Sequence, residues 1–432
     1  MAIVRPFRAI RYNQNKIGGL SRVVAPPYDV ISPEEREKLY GGSPYNMVRL
    51  ILGKDGAGDG DWYAGAGRLW RQWQEEGVLE RDEEPAIYVY RQQFVLEGEP
   101  GARNGLIAAV RLEGLASGNV VPHEQTMRSP REDRMRVMKA VHANLSPVYS
   151  LFDDDSGEVS SLLRGLDAPV EMEVVDGQGV KNVVSVLRDR VGVEEIAERL
   201  SSKRLYIADG HHRYETALAY RELLRQEHGG GDAPYDYIMM LCVSADDPGL
   251  RILPAHRVLR GLKRDVVREF KERARRFFEI VEIENASEPA KALRILAESS
   301  DRPSFLVYGS CDGEFCLLRL RDGDAMSRLV PNMSTAWREL DVSVLHTVLI
   351  GEVLGLTPEE TIRGDSIAYL REPGRVVELV ASGEYQLAVF HNPTRVEQMR
   401  RVAAEGERLP PKSTYFYPKP LSGLVMNSLE SF

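Results

Sequence analysis

The segment Asp209-Gly210-His211-His212-Arg213-Tyr214 gathers an acid, two imidazoles and a guanidinium around one glycine. The apolar run Arg204 to Ala208 precedes it and a helical pattern comes after it, which predicts a strand, a tight turn and a helix opening at Gly210. The first N–H groups of a helix have no partners within it, and together with the helix dipole they favour an anion. Glycine at such a turn lets a phosphate approach the backbone, and Arg213 adds a forked, permanently charged donor. Asp209 is suited to capping the helix, orienting a histidine or holding Mg²⁺. His211 and His212 are neighbours, so on a helix they diverge by about 100° and do not chelate one ion. Zinc motifs on helices use wider spacing. The segment therefore points to a phosphate site, with Mg²⁺ brought in on a phosphorylated substrate.

A second group is the loop Pro122-His123-Glu124-Gln125-Thr126, where a carboxylate beside a histidine suits general-base work. Asp29, in the Pro-Pro-Tyr-Asp loop, is a candidate second acid or Mg²⁺ ligand, with turn geometry the equal alternative. Lys412, Ser413 and Thr414 join a cation to two hydroxyls, a set that holds phosphate or carboxylate or else clasps a loop. Asn144 and Ser146, just ahead of a strand, are candidates for the same pocket.

The elements that must position these groups can be read from periodicity. Tyr63 to Glu76 is an amphipathic helix with Leu69, Trp70 and Trp73 inward. Ile87 to Tyr90 with Phe94 to Leu96, and Leu106 to Leu112, read as two arms of a hairpin. A charged helix runs from Arg131 to Val141, and Pro147 to Phe152 is a strand. Val193 to Leu200 is a helix, Arg204 to Ala208 a buried strand, and His211 to Glu227 a helix with Ala217, Leu218, Leu223 and Leu224 inward. Tyr237 to Val243 is a strand buried on both faces. Beyond Leu262 helices and strands alternate: Lys263 to Phe278 and Val342 to Leu354 are helical, Ser304 to Tyr308 and Phe315 to Leu320 extended. Gly53 to Gly60 reads as a loop, and Pro410 to Lys419, regular by neither pattern, as a peptide that folds back over a site. The expected division is 1–100, an N-terminal α+β region; 101–261, the catalytic core; and 262–432, an α/β domain ending in that tail.

Composition narrows the function classes. At 432 residues the chain fits two or three domains. No apolar run approaches the roughly 20 residues that span a bilayer, and the N-terminus lacks a signal-peptide pattern, so the expectation is a cytoplasmic protein without a membrane partner. A net charge of −9 with no basic stripe argues against nucleic acid as the main partner, while a local Arg and His cluster still suits a small anionic substrate. Of three cysteines, Cys311 and Cys316 flank Asp312-Gly313 and are read as reduced thiols.

Over nearly its whole length the chain resembles the prokaryotic proteins grouped as domain of unknown function 1015. The residues that carry this are Arg5-Pro6-Phe7-Arg8-Ala9, Ala25-Pro26-Pro27-Tyr28-Asp29-Val30, Pro122-His123-Glu124, Asn144-Leu145-Ser146-Pro147, Asp209 to Tyr214, and Lys412 to Phe416. The pairing of a Pro-His-Glu loop with an Asp-Gly-His-His-Arg turn also resembles the archaeal free serine kinases, built on the fold of ParB N-terminal domains and sulfiredoxin. That resemblance implies an α+β chain with a ParB/sulfiredoxin-like core and inserted and C-terminal α/β elements. It implies Glu124 as the base toward the substrate hydroxyl, with His123 beside it, and Asp209, Gly210, His211, His212 and Arg213 on the phosphoryl donor. The expected activity is phosphoryl transfer to a small metabolite, L-serine first. No Walker loop or kinase Gly-rich loop is present, so the donor stays open among ATP, ADP and pyrophosphate. The alternatives are a ParB-like nucleotide switch and a metal-dependent phosphohydrolase.

Overall fold

Long apolar runs without polar alternation become strands covered on both faces, and those runs lie at the centre of the larger sheet. The computed structural model describes residues 2–54, 61–124, 128–166, 168–283, 289–311, 314–321, 324–363 and 365–431. Residues 55–60 of the expected Gly53–Gly60 loop, Gln125 and Thr126 of the Pro-His-Glu loop, and the Asp312-Gly313 turn lie outside the described residues.

The chain divides into two units. The first comprises Met1–Pro122, Thr126–Arg251 and Pro418–Phe432; the second His123–Gln125 and Ile252–Tyr417. The first contains strands β1 (Val4–Arg5), β2 (Ile87–Leu96), β3 (Glu99–Arg111), β4 (Val120–Pro122), β5 (Val148–Phe152), β6 (Val170–Val175), β7 (Lys181–Leu187), β8 (Leu205–Asp209) and β9 (Tyr237–Ser244). Among the described residues they form one sheet, in the order β4-β8-β5-β9-β3-β2-β7-β6, with β1 added along β3. The sheet is mixed: β8 runs parallel to β4 and antiparallel to β5, and β9 runs parallel to β5 and antiparallel to β3. β5 and β9 are buried along their whole length. The β2–β3 hairpin is continuous across residues 100 and 101, so the division expected there cuts paired strands.

Three helices pack together in this unit: α1 (Trp62–Glu75), α2 (Arg128–Val141) and α3 (His211–His228). α2 contacts both of the others. The inner face of α3 is Tyr214, Ala217 and Tyr220, with Leu218 and Leu224 half-buried; Leu223, expected inward, is not part of the core. Helical rotation from the buried Tyr214 carries the stripe through 217 and 220 to 224, one position past Leu223.

The second unit is built on β10 (His256–Leu259), β11 (Phe278–Ile283), β12 (Ser304–Cys311), β13 (Glu314–Leu320), β14 (Ile367–Leu370) and β15 (Leu387–His391), in the order β11-β13-β12-β15-β10-β14, antiparallel throughout. The helix expected over Val342 to Leu354 is α-helical only at Asp341–Val344 and continues as a π-helix over Leu345–Val353. Such wide turns are rare and are frequent at functional sites, and this one carries His346. Lys263 to Phe278 is interrupted: two short helices, Arg264–Arg268 and Phe270–Arg275, precede β11. Within Pro410 to Lys419 the aromatic run Tyr415–Tyr417 is a short strand, as its β propensity favours. Cys316 is disulfide-bonded rather than reduced, and Cys242 is a buried free thiol that burial pushes up to about 11. Mixed α/β elements around a large mixed sheet are consistent with the α+β class expected. No helix of the described residues is long and apolar enough to cross a membrane.

Candidate functional site

In the first unit β8 ends at Asp209 and α3 begins at His211, with Gly210 between them at φ 88°. That left-handed conformation is cheap only for glycine. A Cβ there would lie 2.7 Å from Arg213 Nη2 and would push the guanidinium aside. The missing side chain lets the Arg213 guanidinium fold back over the turn. From there Nη2 donates to Asp209 Oδ2 (2.8 Å), while Nη1 donates to Ser146 Oγ (3.0 Å) and the Pro147 carbonyl (2.5 Å). Gly210 has no side chain to cap α3, and Asp209 turns toward cations instead of capping. Its second oxygen is ion-paired with Lys419 Nζ.

Lys419 is delivered by backbone anchors. The fully buried Arg103 of β3 donates to the Pro418 carbonyl (2.6 Å) and to Gln92, and Gln92 Nε2 donates to the Lys419 carbonyl (3.1 Å). Arg103 also donates to Tyr149 Oη and stacks over that ring. Asp209 thus sits between two cations, Arg213 and Lys419. His211 is buried and His212 half-buried. Tyr214 fixes the helix itself, since its hydroxyl donates to the Glu113 carbonyl (2.9 Å) and accepts from the Glu113 N–H (3.1 Å).

Ser146 and Asn144 belong to a cavity beside the turn. With Arg213, Tyr28, Arg134, Val137 and other residues they line a small cavity of about 50 Å³. Asn144 is committed to the fold, because its Oδ1 accepts the Met239 N–H (3.0 Å). Asp29 is exposed and does not line this cavity.

The second unit holds the other candidates. His123 and Glu124 lie against the tail: the Leu409 N–H donates to the His123 carbonyl (2.7 Å), and Glu124 forms an isolated bridge with Leu409. Glu124 Oε1 accepts the Lys412 N–H (3.0 Å), and His123 Nε2 lies 2.9 Å from Thr414 Oγ1. Lys412 itself is held at φ 58°, a left-handed conformation unusual for lysine. Ser413 is fully buried and its hydroxyl donates to the Pro410 carbonyl (2.5 Å), so it acts as a clasp.

Behind Lys412 lies Arg257, buried with no carboxylate in contact among the described residues. It donates to the carbonyls of Ala255 (2.6 Å) and Lys412 (3.2 Å), and to Nε2 of His391 (2.6 Å) and His346 (3.2 Å). Both imidazoles must be neutral to accept. Burial, reinforced by the Arg257 charge, pushes His346 down to about 3 and His391 well below its ordinary range. His391 has a carbonyl near each ring nitrogen, Asn392 at Nδ1 (2.7 Å) and Ala255 at Nε2 (3.1 Å), and accepting from Arg257 at Nε2 selects the tautomer that donates from Nδ1. The neighbouring His256 is likewise pushed down to about 3 by burial. Arg257 is lowered to about 10, with burial first and the charges of Tyr369 and Glu124 opposing it.

Over residues 4–343 the sequence matches the family model described as protein of unknown function (DUF1015). The chain belongs to that family. It is also similar to solved structures at low TM-score. One is a mutant of a free serine kinase in complex with ADP, at 13% identity and TM-score 0.38, covering 76% of this chain and 92% of that one. Another is a conserved hypothetical protein from Pyrococcus furiosus, at 14% and 0.36, covering 73% and 93%. A third is C-terminally truncated SbnI from Staphylococcus aureus, at 12% and 0.34, covering 74% and 86%. No curated protein matches the sequence.

In this family member, Lys419 and Arg103 beside the Gly210 turn, and Arg257 behind Lys412 in the second unit, are candidates that the sequence did not point to. The signal for Lys419 was its place between Pro418 and Pro420, where a backbone pinned on both sides can aim one side chain. Arg103 and Arg257 look like ordinary strand-end charges in sequence and gave no signal. A resident Mg²⁺ does not fit Asp209, whose two oxygens each hold a cation. No group of three or more metal-ligating side chains occurs among the described residues.

Proposed function

We propose that this protein is a phosphotransferase that moves a phosphoryl group to the hydroxyl of a small metabolite, with L-serine the first candidate. The observation that carries the reading is the Gly210 turn: a helix start without a side-chain cap, overlaid by the Arg213 guanidinium. Such a start offers N–H groups and a positive dipole end to an anion, and preorganised donors of that kind stabilise charge on a transferring phosphoryl group. His211 and His212 extend the donor set, and Asp209 and Lys419 keep Arg213 in register. In this reading Mg²⁺ arrives on the donor, and Asp29 remains a candidate ligand for it.

The resemblance of the Pro-His-Glu loop assigns Glu124 as base. Its carboxylate takes the proton of the acceptor hydroxyl, and that oxygen attacks the terminal phosphorus. The bond to the donor's bridging oxygen breaks, and ADP, AMP or phosphate leaves with the electron pair, according to the donor. His123 and Lys412, which contact Thr414 and Glu124, position the carboxylate. A phosphoryl donor and a small polar acceptor are thus the partners proposed.

The test is to incubate purified protein with L-serine, Mg²⁺ and ATP, ADP or pyrophosphate in turn, and to assay O-phosphoserine. Phosphoserine from one donor, reduced about 100- to 10,000-fold in Glu124→Gln, is the expected result. Donor cleavage that ignores serine would make the protein a phosphohydrolase. Tight nucleotide binding without turnover would make it a nucleotide switch.

A further inference from the structure

The outer face of α2 carries a second, separate concentration of positive charge. Between α1 and α2 lies an open pocket of about 770 Å³, lined by Tyr63, Arg68 and Arg71 from α1, by Arg136 and Lys139 from α2, and by Asp61 at the start of α1. Its floor is the contact of Gly67 with Ala140, where a Cβ on Gly67 would lie 2.4 Å from the Ala140 carbonyl oxygen. The two helices therefore approach closely enough for cations from both to share one volume.

Two acids lie nearby; each is held by a hydrogen bond and keeps its negative charge. Asp61 accepts the Tyr63 N–H (3.0 Å) as the cap of α1. Asp133 accepts the Tyr63 hydroxyl (2.7 Å) and pairs with Arg134 on the other side of α2. Among the described residues no carboxylate pairs with Arg71, Arg136 or Lys139, and all three are exposed. In a chain of net charge −9 this local excess stands out. Four cations line this concave volume, and the three without a carboxylate partner among the described residues carry more positive charge than one phosphate dianion balances. A volume in the range of roughly 300–1,000 Å³ suits a small ligand, whereas an extended peptide needs a track. Guanidinium forks bind phosphate oxygens in pairs.

We infer that this pocket is a second anion site, which takes the polyphosphate part of a small molecule. It is distinct from the Gly210 turn: Arg134, Val137 and Met138 of α2 face the cavity beside Arg213, whereas Arg136, Lys139 and Ala140 face this pocket. Binding at this pocket stands apart from the phosphotransferase reading, because it requires no group transfer.

The test is local. The full chain is treated with an amine-acylating reagent with and without inorganic tripolyphosphate, and labelling is read by mass spectrometry at Lys139 and at the exposed control Lys38. Protection of Lys139 but not of Lys38 is expected. The half-protecting concentration should rise about tenfold or more in the double variant Arg71→Glu, Arg136→Glu. Both changes are on exposed side chains, and a melting temperature near that of the wild type confirms that the variant is folded. ATP should protect as inorganic tripolyphosphate does if the phosphates are what is bound. Equal labelling of Lys139 with and without tripolyphosphate would sink the proposal. So would protection that survives the double variant, or equal protection by a poly-glutamate peptide of matched charge.

Discussion

Two buried guanidinium groups, Arg213 in the first unit and Arg257 in the second, solve the same problem in opposite ways. Arg213 keeps its charge beside a carboxylate: Asp209 is paired with it and with Lys419, and the leftover donors go to Ser146 and Pro147. Arg257 touches no carboxylate among the described residues and is solvated by carbonyls and by imidazoles that stay neutral to accept from it. A paired charge is costly to unpair, because the partner left behind stays buried. A charge held by neutral acceptors makes its surroundings sensitive to anything that charges those acceptors. The first arrangement ties stability to one carboxylate; the second ties it to pH.

Asp209 is where this contrast breaks most directly. Asp209→Asn leaves Arg213 and Lys419 without their shared counter-charge, and with both side chains about one-tenth exposed the loss should be about 3–5 kcal/mol in urea unfolding. Arg257→Met removes a charge that has no carboxylate to strand. Its effect should stay within about 2 kcal/mol of the wild type. If the two variants cost the same, the distinction between paired and solvated charge is wrong.

Acid should separate the units next. His256, His346 and His391 have folded values below the ordinary histidine range. Their contribution is therefore complete above about pH 6.5 and is lost as pH falls below it, because the unfolded chain binds protons the folded one refuses. Between pH 7 and pH 5 that is about 2 kcal/mol per histidine. Asp341, also in the second unit, works against this. Burial raises it to about 7, so its contribution is full at low pH and fades as pH rises through about 7. The net loss for the unit on going to pH 5 should be about 3 kcal/mol. Hydrogen exchange, corrected for intrinsic rate, should show protection falling in His256–Leu259 and Leu387–His391. Unchanged protection there would mean that the histidines are not the neutral acceptors of Arg257.

Legibility in the sequence tracks the range of the interactions. The strand–turn–helix at Leu205 to His228 was readable because period, glycine and charge all change within six residues, and the strand and helix lie within a residue or two of their expected limits. The hairpin at Ile87 to Arg111 was readable for the same reason. Lys419 on Asp209 was not, since 210 residues separate them and only the folded backbone brings them together. Arg257 was hidden differently: His346 and His391 are 89 and 134 residues away, and no local pattern says that an arginine will be buried. The π-helix at Leu345–Val353 was equally silent, because its apolar run satisfies an α-helical period as well.

The smallest effect concerns the backbone that joins the two candidates of the second unit. Lys412 stands at φ 58° while its N–H donates to Glu124 and its carbonyl accepts from Arg257. A left-handed L-residue costs about 1–2 kcal/mol, and glycine there would cost about 0.4–1 kcal/mol through the freer unfolded chain. Lys412→Gly should therefore raise stability by about 0.5–1 kcal/mol, with both backbone hydrogen bonds kept. A lysine in this left-handed conformation motivates a test of whether its side chain does more than the turn needs. If it binds the phosphoryl donor, the same variant should weaken phosphoserine formation about tenfold while melting at a higher temperature. Higher stability with unchanged activity would remove Lys412 from the donor site and leave it as the hinge between Glu124 and Arg257.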